Sequence, residues 1–92
     1  MVDIVDSCGL QVIWQIAGDT KGQWVDLSIM QCWHLEKCFR AGTVNRYFWR
    51  DVNNRYDTGS WYTCDVTIKP MCQIRESNGT VRKIRRVALL NE

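Results

Sequence analysis

Long apolar runs, a second histidine and paired cysteine motifs are all missing from this chain of 92 residues. No stretch of about 18 apolar residues occurs, so we expect no membrane-spanning helix. The first six residues are acidic and lack the basic and apolar regions of a secretory signal. With one histidine and no Cys-x-x-Cys pattern, the chain lacks the usual spacing of a zinc site. We therefore expect no metal, no cofactor and no membrane contact.

The chain also has little excess of one charge over the other, because 12 basic and 10 acidic residues leave a net charge of +2. This near-neutral balance does not by itself indicate nucleic-acid binding. The five cysteines form an odd set without close pairs, which favours reduced thiols and a cytoplasmic or nuclear location over a secreted disulfide scaffold. A hydrophobic content of 46% with five tryptophans is enough for the core of one small domain.

The first structured part of the chain has the pattern of a β-hairpin. Residues 1–9 lack periodicity and are expected to form a loosely ordered lead-in. Apolar and polar residues then alternate over 10–16, which predicts a strand with one face on the core. The turn-forming residues 17–22 return the chain into a second predicted strand at 23–27.

One amphipathic helix is predicted from about Ile29 to Arg40. Ser28 and Gln31 have the spacing of a capping box, and Gly42 stands where a left-handed C-terminal cap is common. The helix would carry one stripe along a single face, made of Ser28, Cys32, Leu35 and Phe39 and flanked by Ile29 and Cys38.

The remainder of the chain has the pattern of strands and turns. β-Branched and aromatic residues predict strands, and turn formers separate them at 51–59 and at Asn78-Gly79. The expected strands are 44–50, 60–68, 71–75 and 80–90. Because the rest of the chain is strand, a single helix must pack against a sheet, which makes the fold class α+β.

Several short motifs, in order, resemble a WWE domain, a family named for two tryptophans and a glutamate. The motifs are Trp14, Trp24, Leu35-Glu36, Met71-x-Gln73 and Gly79-x-x-Arg82-Lys83-Ile84-Arg85-Arg86. On this resemblance we expect a WWE domain over residues 10–92, after the lead-in of residues 1–9.

The resemblance implies a curved antiparallel half-barrel sheet wrapped around the single α-helix. It also implies a non-catalytic module, excised from a larger ubiquitin ligase or ADP-ribosyltransferase. Several members of the family bind the iso-ADP-ribose unit of poly(ADP-ribose), or a terminal ADP-ribose. The expected partners are therefore poly(ADP-ribose) or ADP-ribosylated proteins, together with possible protein partners of such an enzyme.

Five residues are candidates for ligand binding on this resemblance. Gln73 matches a glutamine that reads the adenine edge, because an amide can both donate and accept hydrogen bonds. Arg82 matches a phosphate-contacting arginine, and a guanidinium offers forked donors to phosphate. Lys83 adds charge beside it, and Lys21 stands near the position of a turn arginine. Tyr62 would supply an aromatic ring before the Met-x-Gln segment if two residues are inserted.

Other interpretations remain open for the same residues. Without an insertion, the aromatic position of the family falls on Cys64. Gln73 could be a strand glutamine that faces water, and Arg82 could belong to a solvated edge strand. Ile16 and Val25 occupy two positions where ligand-binding members carry aromatic side chains.

Three residues are expected to be structural. Trp14 and Trp24 are predicted to lie in the core, because large aromatic side chains dominate small cores. Glu36 is predicted to bond to backbone or basic groups of the sheet.

Two other functions compete with ADP-ribose recognition. The domain could have lost its ligand, as Ile16 and Val25 suggest, and could serve as a protein-interaction module. It could also bind nucleic acid through the basic last strand and the aromatic run Tyr47-Phe48-Trp49. Nucleic acid ranks last because the net charge is only +2.

Overall fold

A computed structural model describes residues 3–89, which form one helix and one six-stranded sheet. Every pair of adjacent strands is antiparallel, in the order β2-β1-β6-β5-β4-β3. The elements are β1 Gln11–Ala17, β2 Trp24–Asp26, α1 Ile29–Ala41, β3 Val44–Trp49, β4 Ser60–Asp65, β5 Cys72–Arg75 and β6 Thr80–Leu89. The predicted α+β class is confirmed. Within residues 3–89, no helix is long and apolar enough to cross a membrane.

Helix α1 begins and ends where its capping residues predicted. The Ser28 hydroxyl accepts a hydrogen bond from the Gln31 backbone N–H, and the Gln31 side chain accepts one from the Ser28 backbone N–H. Together these bonds satisfy two amide groups that have no partner within the helix. At the other end Gly42 has a φ of 66° and donates to the last carbonyls of the helix.

Strand β4 ends three residues before the predicted limit of 68, at Asp65. The Asp65 carboxylate accepts hydrogen bonds from the Thr67 backbone N–H at 2.9 Å and from the Thr67 hydroxyl at 2.6 Å. This local turn draws the backbone away from the ladder. The last predicted residue of the final strand, Leu90, lies outside the described residues.

Strand β6 connects the two halves of the sheet. Its first part pairs with β5, with Arg82 opposite Gln73. Its second part pairs with β1, with Ile84 opposite Ile16 and Arg86 opposite Trp14. Successive side chains of a strand point to opposite faces, so all six of these residues lie on the same face. We call this the inner face, because it is also the face that α1 contacts through Trp14.

The core lies between α1 and the inner face. Its buried members are Ile4, Val12, Trp14, Cys32, Leu35, Cys38, Tyr47, Cys64, Val66 and Ile84. Trp14 is therefore in the core, as predicted. The segment predicted as a loose lead-in also contributes, because Ile4 is fully buried and Val5 bridges to Gln11. The two apolar residues between Asp3 and Asp6 are too few to give a periodic signal for this contact.

Two aromatic residues lie outside the core, contrary to prediction. Trp24 pairs with Ala17, which occupies an outward position of β1, and its half-buried indole lies under the Arg85 guanidinium at 4.2 Å. Phe39 is 41% exposed, although the helical stripe predicted its burial. It meets Trp14 edge-on at 5.7 Å. The stripe fails there because Glu36, rather than Phe39, occupies the buried surface of that helical turn.

Glu36 is the most buried charged side chain of the described residues, at 1% exposure. Its carboxylate accepts bonds from Trp14 Nε1 at 3.0 Å, from Arg86 Nε and Nη2 at 2.9 and 3.0 Å, and from Arg40 Nε at 2.9 Å. Burial alone would raise the pKa of Glu36, but the bonds from Arg86, Trp14 and Arg40 outweigh it and lower the pKa. This network fastens the helix to β1 and β6.

Acid is expected to destabilise the fold partly by protonating Glu36. Because its pKa is lowered in the folded chain, its stabilising contribution is complete above the ordinary value of 4.5 and is lost as pH falls through the lowered value. Urea unfolding from about pH 7 to about pH 3 measures this. The Glu36→Gln variant should have a flatter dependence of unfolding free energy on pH than the wild type. Equal slopes would mean that Glu36 titrates alike in both states.

Candidate ligand-binding site

Four strands and one turn surround a cavity of about 270 Å³ on the inner face. We call it the Gln73 cavity; it is lined by Ile16, Tyr62, Gln73, Arg75, Asn78, Thr80 and Arg82. Its volume lies just below the ~300–1,000 Å³ typical of small-molecule sites. The structure thus brings together three of the five residues that the sequence predicted for binding, namely Tyr62, Gln73 and Arg82.

The strand registers explain this convergence. Gln73 lies opposite Arg82, and Arg75 lies opposite both Tyr62 and Thr80 in the neighbouring strands. Side chains that are directly opposite in antiparallel strands stand about 5 Å apart on one face. The cavity therefore follows from period-two alternation in β4, β5 and β6.

Gln73 is buried at the base of this cavity, with 6% exposure, rather than facing water. Its Oε1 atom accepts a hydrogen bond from the Tyr47 hydroxyl at 2.6 Å and another from the Cys64 thiol at 3.3 Å. Within residues 3–89, no group accepts a hydrogen bond from Gln73 Nε2. The amide is therefore held firmly by its oxygen, and its nitrogen is the atom available to a ligand.

Arg82 is held at the cavity by the turn between β1 and β2. Its Nη1 atom donates to the Ala17 carbonyl at 3.1 Å, and its Nη2 atom pairs with Asp19 Oδ1 at 2.7 Å. The Asp19 side chain is 90% exposed, so this ion pair contributes little free energy. A phosphate in the cavity could therefore displace Asp19 at small cost.

Arg75 is a second cationic residue of the cavity, and it was not among the residues predicted from the sequence. Its Nε atom donates to the Ser60 hydroxyl at 3.1 Å. A signal was present, because Arg75 is two residues after Gln73 in a strand and so shares its face. The lining residues of the described chain include two guanidinium groups and no carboxylate, so the cavity favours an anionic ligand.

Tyr62 and Cys64 were the two alternatives for the aromatic position. The Tyr62 ring lines the cavity and stacks on Tyr47 with a centroid distance of 5.6 Å and an interplanar angle of 26°. Cys64 is fully buried in the core. Tyr62 is therefore the one that a ligand can contact.

Lys21 and Lys83 do not line the Gln73 cavity within the described residues. Lys21 is exposed in the turn between β1 and β2. Lys83 is adjacent to Arg82 in β6, so its side chain belongs to the outer face. Their roles in binding stay predictions. Ile16 lines the cavity, whereas Val25, its cross-strand partner, is 45% exposed.

A second hollow of about 720 Å³ adjoins the cavity and shares Tyr62 and Arg75 with it. The irregular loop between β3 and β4 forms much of its wall, including Asp51 and Asp57. The Asp57 carboxylate accepts from the backbone N–H groups of Asp51 and Gly59, each at 2.8 Å, and these bonds lower its pKa. The loop is therefore tied by its own hydrogen bonds.

The aromatic run Tyr47-Phe48-Trp49 does not form one exposed platform. Tyr47 is buried, Phe48 is 50% exposed, and Trp49 packs against the core. Alternation along β3 sends the middle ring to the opposite face from its neighbours. This geometry removes the platform on which the nucleic-acid hypothesis depended. No cluster of three or more His, Cys, Asp or Glu residues that could hold a metal ion occurs within residues 3–89.

Comparison with known proteins identifies the family of this chain. The family model described as "WWE domain" matches residues 12–86, a range that includes every residue lining the Gln73 cavity. A search of curated proteins found no match.

Proposed function

Because the chain belongs to the WWE domain family, we propose that it is a non-catalytic interaction module that recognises ADP-ribose or iso-ADP-ribose units of poly(ADP-ribose). Domains of this family occur as modules of ubiquitin ligases and ADP-ribosyltransferases. One observation supports this ligand: the Gln73 amide, the Tyr62 ring and the guanidinium groups of Arg75 and Arg82 converge on one cavity without a lining carboxylate.

Each part of the ligand has a matching group in this proposal. The adenine ring would lie against Tyr62 with one edge at Gln73, since a flat ring stacks on an aromatic face. The phosphates would lie at Arg75 and Arg82, because guanidinium groups give forked, charge-assisted bonds to phosphate oxygens. A cavity of about 270 Å³ would hold the base and leave much of the ribose and phosphate at its mouth.

We also propose that the sheet curves around α1 as a half-barrel. The helix contacts β1 through the Glu36–Trp14 bond and β3 through the Gln31–Tyr47 bond. Three strands separate β1 from β3 in the sheet order. At ~4.8 Å per strand a flat sheet would hold them ~19 Å apart, which exceeds the ~10–12 Å width of a helix with side chains. Curvature accounts for both contacts.

The parent protein is proposed to be a ubiquitin ligase or an ADP-ribosyltransferase in the cytoplasm or nucleus. The family supports the enzyme class, and the odd number of cysteines supports the reducing compartments. The proposed partners are poly(ADP-ribose) and ADP-ribosylated proteins.

Calorimetric titration with iso-ADP-ribose, ADP-ribose and AMP tests the proposed ligand. We expect saturable binding of iso-ADP-ribose and weaker binding of AMP, which lacks most of the phosphate and ribose contacts. Tighter binding of ADP-ribose would instead indicate recognition of chain ends. Because Ile16 and Val25 replace two aromatic contacts worth about 1–3 kcal/mol each, the titration should extend to millimolar ligand. No heat with any of the three at that concentration would refute ADP-ribose recognition.

A protein-interaction module is the second candidate function, and an apolar groove of about 470 Å³ favours it. Its walls include Trp24, Phe39, Val66, Ile68 and Met71, and it also contains Lys69, Lys83 and Arg85. No carboxylate lines the groove within residues 3–89. Apolar walls beside uncompensated positive charge suit a partner segment that carries apolar side chains next to acidic ones.

Selection of displayed peptides against the domain tests this second function. We expect enriched peptides to pair leucine, isoleucine or phenylalanine with aspartate or glutamate. Their binding should fall at least about tenfold in the Lys83→Glu variant, because attraction becomes repulsion. Lys21→Glu makes the same charge change at an exposed turn outside the groove and should have little effect. Equal losses of affinity in both variants would mean that the peptides respond only to net charge, and would exclude the groove as their binding site.

A further inference from the structure

A chain of side-chain hydrogen bonds connects the N-cap of α1 with the Gln73 cavity. It starts at Gln31, whose Oε1 atom lies 3.3 Å from the Ser28 backbone nitrogen and 3.2 Å from the Ser28 hydroxyl. A backbone N–H group can only donate. The oxygen of the Gln31 amide must therefore face the cap, and its nitrogen must face the other way.

The direction of the next two bonds follows from this first one. Gln31 Nε2 lies 3.3 Å from the Tyr47 hydroxyl, and an amide nitrogen can only donate. The hydroxyl therefore accepts from Gln31, which leaves its own proton for Gln73 Oε1, the atom that lies 2.6 Å away. A relay of three side chains, Gln31, Tyr47 and Gln73, thus leads from the backbone N–H of Ser28 to the cavity.

A second donor completes the coordination of that oxygen. The Cys64 thiol lies 3.3 Å from Gln73 Oε1. Burial raises the pKa of Cys64 to about 12, so the thiol stays protonated and donates at neutral pH. Burial also raises the pKa of the Tyr47 hydroxyl well above its ordinary value, so it too keeps its proton. A carbonyl oxygen has two lone pairs, and both are occupied here.

We propose that this relay makes Gln73 a donor-only reader, with Gln31 and Tyr47 as its positioning residues. Gln73 then offers amide N–H groups to the cavity and no acceptor. The ligand edge that meets it must carry an acceptor, such as a ring nitrogen or a carbonyl oxygen. This proposal differs from the sequence-based expectation that the amide both donates to and accepts from adenine. The ligand class, though not the relay, depends on the proposed function.

The consequence is an unusual base preference. Adenine presents N7 as an acceptor beside the N6 amino donor, whereas a purine with a carbonyl at that position presents two acceptors. A donor-only glutamine gains nothing from the amino group. The hypoxanthine analogue of iso-ADP-ribose should therefore bind as tightly as iso-ADP-ribose, or more tightly.

Nuclear magnetic resonance of the ligand-free domain tests the relay itself. We expect the Tyr47 hydroxyl proton to exchange slowly enough to be observed, and to show a nuclear Overhauser contact with the Gln31 side-chain amide protons. The Gln73 amide protons should show stronger contacts with Thr80 or Arg82 than with the Tyr47 hydroxyl, because that hydroxyl meets the oxygen side of the amide. Contacts of the Gln73 amide protons that are stronger with that hydroxyl than with Thr80 or Arg82 would mean the opposite amide orientation and would overturn the proposal.

Titration of Tyr47→Phe tests the consequence for specificity. The variant keeps the ring but frees one lone pair of Gln73 Oε1, so it should shift preference toward adenine over hypoxanthine by about three- to tenfold. Tyr56→Phe makes the same change at an exposed loop position outside the relay and the Gln73 cavity, and should leave the preference unchanged. A wild type that already prefers adenine tenfold would overturn the proposal. If neither ligand binds the wild type, the proposed function fails, while the ligand-free spectra still decide the relay.

Discussion

Replacing Glu36 with alanine is expected to lower the free energy of unfolding by about 3–5 kcal/mol, which is the cost of breaking a buried ion pair by removing one partner. The substitution would leave the guanidinium of Arg86, only 21% exposed, without its counter-charge. It would also leave the indole N–H of Trp14, a fully buried side chain, without its acceptor. The total free energy of unfolding of a small domain is only ~5–15 kcal/mol, so this loss would be a large part of it.

The matched control is Glu76→Ala on the outer face. Glu76 pairs with Arg46 at 2.8 Å, but these two side chains are well exposed, at 38% and 54%. Exposed ion pairs are worth ~0–1 kcal/mol, so this variant should unfold nearly as the wild type does. Urea denaturation followed by tryptophan fluorescence measures both variants. A loss below about 1 kcal/mol for Glu36→Ala would contradict the structural role of this network.

Replacing Arg82 with alanine is expected to weaken iso-ADP-ribose binding by about ten- to a hundredfold, because a hydrogen bond to a charged group contributes ~1.5–3 kcal/mol. Arg82→Lys should be intermediate, since it keeps the charge but loses the fork. Arg46→Ala is the control: this arginine lies over Trp61 and pairs with Glu76, away from the lining of the cavity. Titration calorimetry at one salt concentration gives all the affinities. An unchanged affinity in Arg82→Ala would exclude the phosphate contact.

The Asp19→Ala variant tests the same contact and is expected to change the affinity in the opposite direction. Asp19 pairs with Arg82 Nη2 at 2.7 Å in the ligand-free chain, so the ligand must compete with it. Removing this competitor should strengthen binding, by about two- to fivefold for an exposed pair. A weaker affinity in this variant would mean that Asp19 positions Arg82 for the ligand.

Local signals allowed the helix and the strands to be predicted from the sequence. The capping box at Ser28 and Gln31 marked the start of α1, and Gly42 marked its end. These caps form through hydrogen bonds between residues at most four positions apart, so a single sequence is enough to predict them. The strands followed from alternation, which needs only neighbours two residues apart.

Properties that depend on distant residues were not accessible in the same way. The stripe on α1 predicted burial of Phe39, but the sheet supplies Arg86 and Trp14 as partners for Glu36, and the helix turns that residue inward. Trp24 was predicted in the core, yet its register with Ala17 assigns it to the outer face. A shift of one residue in register would have reversed that result.

The candidate site likewise contains residues that could be predicted from the sequence and one whose role depends on tertiary contacts. Gln73 and Arg82 were identified by resemblance, and the register then put them opposite each other. Arg75 could have been found by alternation from Gln73. The part played by Tyr47 could not, because it depends on a hydrogen bond between residues 26 positions apart. The orientation of a buried amide is set by tertiary contacts, which no local pattern records.

The central claim is that iso-ADP-ribose occupies the Gln73 cavity, and chemical-shift mapping tests it most directly. Addition of iso-ADP-ribose to the ¹⁵N-labelled domain should shift the resonances of Ile16, Tyr62, Gln73, Arg75 and Arg82. Resonances of the apolar groove, such as those of Val66 and Ile68, should stay unchanged. Shifts confined to that groove, or no shifts at millimolar ligand, would contradict the claim and would make protein binding the stronger account.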